Sequence, residues 1–455
     1  MDSVKKFETR ALIVLFIIAI WLPLLATFWN SAGGSINIEE KRKLAEFPEF
    51  HLTQEGINKF PVDFTKYFDD NFGMRDKLIT LHSYIKVFFF RTTPTQRAIL
   101  GKQDWLFLGD GSIVADYRHT HPFSEEELKH WRDVLVAKRD WLAARGIKYL
   151  FMVAPDKQSI YPEFMPDRFN QVRPNSCMDQ LVAYLKQHSD IEILDVRPAL
   201  LAEKVVTRDY HKTDTHWNER GAFVVYRQIM QRLSHDFPEI QAKTLADFNP
   251  VEEVTEGQDI AIMMGLRNVM HEQVLRLVPK TEPCAQPMAF KLNSSFQWPI
   301  YPPGHEAYAR ECDKAKLKAV FFQDSFGTSL APFISEQFKR TVFIWDYPNY
   351  AVMYAAVQQE HPDVVIEERV ERHVKSMPQD FDIPSDLVGA WGSNNNKVEI
   401  KHLSSSSVYL INEHGSQAIG LIKNSKLFAN EWNLTGDLSF DRNKIAWSNG
   451  TSWIR

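Results

Sequence analysis

Ser325 lies in Phe322-Gln-Asp-Ser-Phe-Gly327, where a short apolar run gives way to a turn. Ala319 to Phe322 is long enough for one buried strand and too short for a helix, and Thr328 to Phe338 then reads as a helix. A hydroxyl at such a strand-to-helix turn stands at the open end of a sheet. The unpaired amides of the next helix face it there and can stabilise an oxyanion. A second turn, Asp209-Tyr-His-Lys-Thr-Asp-Thr-His-Trp217, holds Asp214 and His216. Residues two apart in extended chain point the same way, so Asp214 can orient the His216 ring and leave its other nitrogen free. A hydroxyl is a weak nucleophile at neutral pH; it needs such a base, and the base needs an orienting group. Each turn alone also has an ordinary reading. Asp324 or Ser325 can cap a helix, and His216 can cap one beside a surface aspartate. The two turns together favour chemistry.

Tyr210-His-Lys-Thr-Asp-Thr-His-Trp217 followed by Phe322-Gln-Asp-Ser-Phe-Gly327 resembles the AlgJ/AlgX group of alginate O-acetyltransferases, which are SGNH-hydrolase-like. Asp104-Trp-Leu-Phe-Leu-Gly109 and Val153-Ala-Pro-Asp-Lys-Gln-Ser-Ile-Tyr-Pro-Glu163 add to the resemblance, which covers roughly residues 40–372. It implies Ser325 as nucleophile, His216 as base and Asp214 as its orienter, with Asp-x-His preceding the serine in a circularly permuted order. It also implies an acetyl donor relayed by a membrane-bound O-acyltransferase partner. The sequence has no clear match to the Gly and Asn oxyanion blocks of ordinary SGNH hydrolases, which leaves the oxyanion donors unassigned. Lys157 could bind an acidic sugar or polarise the acyl group, or be an ordinary turn lysine. Tyr161 and Trp217, in the same phrases, are the other expected substrate contacts.

Positioning these residues takes an α/β domain. Trp105 to Leu108, Ile147 to Val153, Ile191 to Val196, Thr341 to Trp345 and Val364 to Glu367 read as strands. Ser124-Glu-Glu-Glu opens a helix to about Ala144, and Met178 to Gln187, Ala222 to Leu233 and Ala351 to Glu360 read as further helices. The alternation implies a mainly parallel sheet covered on both faces, with ligands beyond the carboxyl ends of its strands. The turns at Lys157, His216 and Ser325 are expected to share that rim. Asp259-Ile-Ala-Ile-Met-Met-Gly265 resembles a helix start of the same family, and Gln297-Trp-Pro-Ile-Tyr-Pro-Pro-Gly304 reads as a loop over the site.

Around this domain, expected at 63–380, lie three other parts. Lys5, Lys6 and Arg10 precede an uncharged apolar run from Ala11 to Trp29, which suits a membrane-spanning helix better than a short signal core. Positive charge before it predicts a cytoplasmic amino end and a periplasmic bulk, with residues 1–30 as anchor or signal. Residues 31–62 read as a polar, proline-punctuated linker. The aromatics from Phe64 to Phe90 recur at helical intervals and read as core or packing residues. Short β-type runs at roughly ten-residue spacing predict a small antiparallel sandwich or barrel over 386–455. Its tryptophans could be core or could stack on sugars.

Composition sets limits. Fifty-three basic against 58 acidic residues gives a formal charge of −5, which offers no electrostatic reason to expect nucleic acid. Three cysteines permit one disulfide and one free thiol, with Cys284 and Cys312 as the expected pair. No zinc-like Cys/His spacing or Gly-rich phosphate loop occurs, so neither a metal nor a nucleotide cofactor is indicated. The expected function is transfer of acetyl groups to hydroxyls of an exported polysaccharide through an acetyl-serine. An acetylesterase and a catalytically idle polysaccharide-binding or assembly protein are the alternatives.

Overall fold

The computed structural model of the chain describes residues 2–29, 36–37, 42–292, 305–381, 387–393, 396–404, 407–423, 426–439 and 443–455. The amino-terminal helix α1 spans Asp2–Trp29. Its stretch Arg10–Thr27, with mean hydropathy 2.3, is long and apolar enough to cross a membrane. Two helices follow, α2 (Gln54–Asn71) and α3 (Arg75–Tyr84), which continues through a π turn at Ile85–Phe89. Two expectations fail here. Thr53 caps α2 from the Gly56 amide, so helix begins well inside the expected linker, and Pro61 is tolerated within it. The aromatics of α2 are not core either: no residue of that helix is buried.

The domain that carries the two turns is built on a seven-stranded sheet. Ahead of it, β1 (Ala98–Leu100) pairs with β2 (Leu106–Leu108) in a separate two-stranded ribbon. The Trp105-to-Leu108 strand therefore exists but stands outside the main sheet. Helix α4 (Glu125–Ala143) opens with the expected capping box, Ser124 with Glu127. Then come β3 (Lys148–Ala154), α5 (Cys177–His188), β4 (Ile193–Asp195), α6 (Arg197–Glu203) and α7 (Glu219–Ser234). Helix α6 was not foreseen, so the Asp209-to-Trp217 turn follows a helix and not directly a strand. An antiparallel ribbon of β5 (Phe248–Glu256) and β6 (His271–Pro279) flanks the short helix α8 (Asp259–Met263). The sheet is completed by β7 (Gln286–Met288), β8 (Tyr308–Glu311), β9 (Lys318–Gln323), β10 (Arg340–Trp345), helix α9 (Tyr350–Glu360) and β11 (Val364–Val370).

Strand order is β4-β3-β11-β9-β10-β8-β7; the first five are parallel, β8 runs antiparallel to β10, and β7 antiparallel to β8. Alternation along β9 explains the layering. Ala319 and Phe321 pack with Phe223, Tyr226 and Ile229 of α7, whereas Val320 and Phe322 join Trp141 of α4 and Met353 of α9. Both faces are therefore dry, as a parallel sheet requires. The expected helix from Thr328 to Phe338 breaks into a 3-10 turn, one α turn at Ala331–Ile334 and a second 3-10 turn. Cys284 and Cys312 form the disulfide, and Cys177 is free. The expected loop at Gln297 to Gly304 lies outside the described residues.

The carboxyl-terminal part is a closed barrel of eight antiparallel strands, β12 (Gly389–Ser393) to β19 (Ser452–Ile454), in sequential order. Trp391, Trp447 and Trp453 are buried in its core cluster, with Trp432 packed against it. The core reading of these rings holds for the three buried ones.

Candidate active site

Gln323 ends β9, and the chain turns so that Ser325 follows the strand's carboxyl end. Asp324 fixes that turn. Its carboxylate accepts from the amides of Phe326 and Val370 and from the Tyr347 hydroxyl at 2.9, 2.8 and 2.6 Å. Its own amide donates to the Glu368 carboxyl at 2.9 Å. Because the Phe326 amide is already spent on Asp324, the amide next to the serine is not a free oxyanion donor.

The opposite turn is closed as a small β-bridge between Tyr210 and Trp217, with the His211 amide donating to the His216 carbonyl. It ends at Asn218, which caps α7 by accepting from the Arg220 and Gly221 amides. Gly221 lies so close beneath the turn that a Cβ there would stand 2.2 Å from the Asp209 carbonyl oxygen. Lys157, buried after the end of β3, donates to the carbonyls of His211, Lys212 and Asp214 at 3.0, 3.3 and 2.5 Å. Glu272 on β6 accepts from the amides of Lys212 and Thr213 and from the Thr213 hydroxyl. Asp259 at the start of α8 accepts from the Thr215 amide at 2.8 Å.

These two turns bring three side chains into line. His216 Nε2 is 2.8 Å from Ser325 Oγ, and its Nδ1 is 2.6 Å from Asp214 Oδ1. Burial pushes the His216 imidazole down, but the hydrogen bond and charge of Asp214 outweigh it and hold its pKa above the ordinary value. Burial pushes Asp214 up, and His216 more than reverses this, holding the carboxyl below the usual range. Asp214 donates no proton at neutral pH; it stabilises an imidazolium. Asp259 Oδ2 lies 3.9 Å from His216 Nδ1. Burial, then the Asp214 charge, raises Asp259 above the ordinary carboxyl value. Asp214, His216 and Asp259 offer ligand atoms within 4.8 Å of one another. Their observed partners, however, are Ser325, each other and backbone amides.

The structure corrects the three expected substrate contacts. Lys157 is 1% exposed and its ammonium is occupied by three carbonyls; burial pushes its pKa down to about 8. The Tyr161 hydroxyl donates to Asp209 at 2.7 Å under the ring of Trp105, and Trp217 donates to Ser329 Oγ at 2.5 Å while packing edge-on to Phe326. All three support the turns from below. Sequence reasoning missed Glu272 and Arg372, saw Asp324 only as a cap, and recognised Asp259 only as a helix start. Arg372 lies 5.4 Å from the Phe326 ring, pairs with Asp156, and its charge opposes protonation of His216. The available signal was Glu367-Glu-Arg-Val-Glu-Arg372, charges continuing an apolar strand, which reads as a domain end until the strand is seen to be buried.

A serine beyond a parallel strand is thus aligned with Asp-x-His from a second turn, an arrangement suited to serine nucleophile chemistry. Residues 98–288 match the family model described as SGNH hydrolase-like domain, acetyltransferase AlgX, a span that holds Asp214 and His216 and ends before Ser325. The probable alginate O-acetylase AlgJ of Azotobacter vinelandii is 23% identical over 174 residues, 38% of this chain and 42% of that protein, so less than half of that relative is spanned. Among solved structures, PatB1 of Bacillus cereus aligns with TM-score 0.46 and 14% identity, covering 61% of this chain and 96% of that one. The O-acetyltransferase domain of Pseudomonas putida AlgJ aligns with TM-score 0.37 and 16% identity, covering 63% and 94%.

Proposed function

We propose that this chain is a membrane-anchored O-acyltransferase that moves acetyl groups onto hydroxyls of an exported polysaccharide. The observation that carries the reading is the unbroken hydrogen-bonded line Ser325–His216–Asp214 at a sheet rim. The acetyltransferase name of the matching family model and the O-acetylase relative support the class of reaction. The apolar helix Arg10–Thr27, after basic residues, supports anchoring with the domain on the periplasmic side.

His216 Nε2 takes the proton of Ser325 Oγ as the oxygen attacks the donor's acyl carbon. The tetrahedral intermediate collapses, the donor leaves with that proton, and an acetyl-serine remains. A sugar hydroxyl then gives its proton to His216 and attacks the ester carbon, and the proton returns to Ser325 Oγ. Asp214 holds the imidazole in the required tautomer throughout. Expulsion of water decides between transfer and hydrolysis, since the same triad serves an acetylesterase. The donor is proposed to be relayed by a membrane-bound O-acyltransferase.

Intact-mass measurement after incubation with an activated acetyl ester tests the reading. A single acetyl adduct is expected on the wild type, absent in Ser325→Ala and slowed in His216→Ala. Added saccharide should discharge it faster than water alone; discharge by water only would favour the esterase, and no adduct on folded protein would leave a binding role.

A further inference from the structure

The elbow between α2 and α3 meets the apolar helix at its outer end. The Gly73 amide donates to Thr27 Oγ1 at 2.8 Å, and a Cβ on Gly73 would stand 2.3 Å from the Pro23 carbonyl oxygen and 2.4 Å from the Thr27 nitrogen. Pro23 and Thr27 both belong to the membrane-length stretch. Four helical residues span about 6 Å, so the elbow reaches roughly that far below the outer end of the stretch.

From this point an apolar surface spreads over both helices. Phe60, Phe64, Phe68 and Phe72 form an i, i+4 row leading down α2 to the elbow, with rings in contact along it. Phe47 and Phe50 lie across the same row, held by hydrogen bonds of Ala45 to Asp70 and Asn71. Of that row Phe64 is exposed and the other three are half-buried, with Phe47 and Phe50 exposed beside them; on the second helix and its π turn, Leu81, Tyr84, Phe89 and Phe90 are exposed, Phe89 by 79%. The opposite side of that helix is the docked one: Thr80 donates to the Gly265 carbonyl at 2.9 Å, and Ser83 and Val87 are buried. A soluble surface rarely keeps so continuous an apolar patch. Rings beside the mouth of a spanning helix, interleaved with Lys59, Lys66 and Lys86, match the interfacial zone of a bilayer.

We propose that α2 and the α3–π segment form a lipid-binding dock that lies in the headgroup region of the outer leaflet, beside α1. This rests on the membrane-anchored reading above. The dock also places the active site. Seven residues, or about 10 Å of helix, separate Gly73 from Thr80. Thr80 holds Gly265, just past α8, and Asp259 at the other end of α8 accepts from the Thr215 amide beside Asp214. The triad turn is thereby tied to the bilayer surface through one short helix.

The test uses the full chain in vesicles of neutral and anionic phospholipid carrying a photoreactive acyl chain, with adducts mapped by mass spectrometry. Adducts are expected in α1 and also in 60–72 and 81–90. Gly73→Leu should lower the second set about tenfold, the change made by ~1.4 kcal/mol of weaker docking, and leave α1 labelling intact. The exposed double variant Phe89→Asp/Phe90→Asp should lower labelling of 81–90 likewise without altering folding. Adducts in α1 alone would overturn the dock; so would labelling of 60–90 by a neighbouring protein in native membranes but never by lipid. Absence of adducts in α1 as well would instead overturn the anchoring.

Discussion

The two turns that meet at the Ser325–His216 hydrogen bond are both held by carboxyl groups, and only one of them by a cation as well. On the serine turn Asp324 collects two amides and a hydroxyl, and the Glu368 carboxyl collects the Asp324 amide; on the other, Glu272 and Asp259 collect the amides of Lys212, Thr213 and Thr215. The Asp-x-His turn exposes carbonyls on one side, and there the Lys157 ammonium collects three of them. The orphan backbone groups of each loop set the sign of the charge that fixes it, since a buried amide needs an acceptor and a buried carbonyl a donor. Neither set of supporting groups is in the reacting line, so chemistry and support should separate under mutation.

The largest effect should come from the reacting line itself. Asp214→Asn keeps the shape of the turn and should lower kcat by roughly 10³–10⁴ with little change in melting temperature. Because Asp214 holds the His216 pKa up, the acidic limb of the rate profile should also move to lower pH. A rate loss with an unmoved limb would break the separation. Next, Lys157→Met strands three buried carbonyls and should destabilise the fold by about 2–4 kcal/mol in urea titration, with rate falling as the turn loosens.

Proton linkage sharpens the contrast further. Glu371, which accepts from the Asp156 amide and Ser159, is pushed by burial and the Asp156 charge to about 7 from an ordinary 4.5. The native state there binds more protons than the unfolded chain, so this contribution to stability falls as pH rises from 4.5 to 7. Lys157, pushed from 10.5 to about 8, binds fewer protons when folded, so its contribution rises from pH 8 to 10.5. Glu371→Gln should flatten the first slope and Lys157→Met the second, each on the order of 1–3 kcal/mol in unfolding free energy. The smallest effect belongs to Tyr161→Phe. It removes two hydrogen bonds with Asp209, the one its hydroxyl donates to the carboxyl and the one it accepts from the amide, and should cost about 1–2 kcal/mol with the acceptor KM unchanged; a raised KM would restore Tyr161 as a substrate contact.

Local pattern made the aligned Ser325, His216 and Asp214 legible. Apolar run, turn and serine, with Asp two before His, are signals carried by adjacent residues, and the α4 capping box and the Cys284–Cys312 pair were readable in the same way. What stayed hidden was non-local. Lys157 looks like any turn lysine until the carbonyls of residues more than fifty positions away close around it. Glu368 and Arg372 look like a solvated domain end until β11 is seen between β3 and β9. The aromatics of α2 pack on one another but are not core, for the converse reason: helical spacing says that a face is apolar and not what covers it.

The barrel's first and last strands pair, Gly392 opposite Ile454, and Arg455 donates to the Val388 carbonyl at 2.9 Å. Entry and exit therefore lie side by side, like a bead with both threads at one hole. A reporter fused after Arg455 would emerge at the barrel's point of attachment, and a different closed barrel could be spliced there without leaving an unpaired strand edge.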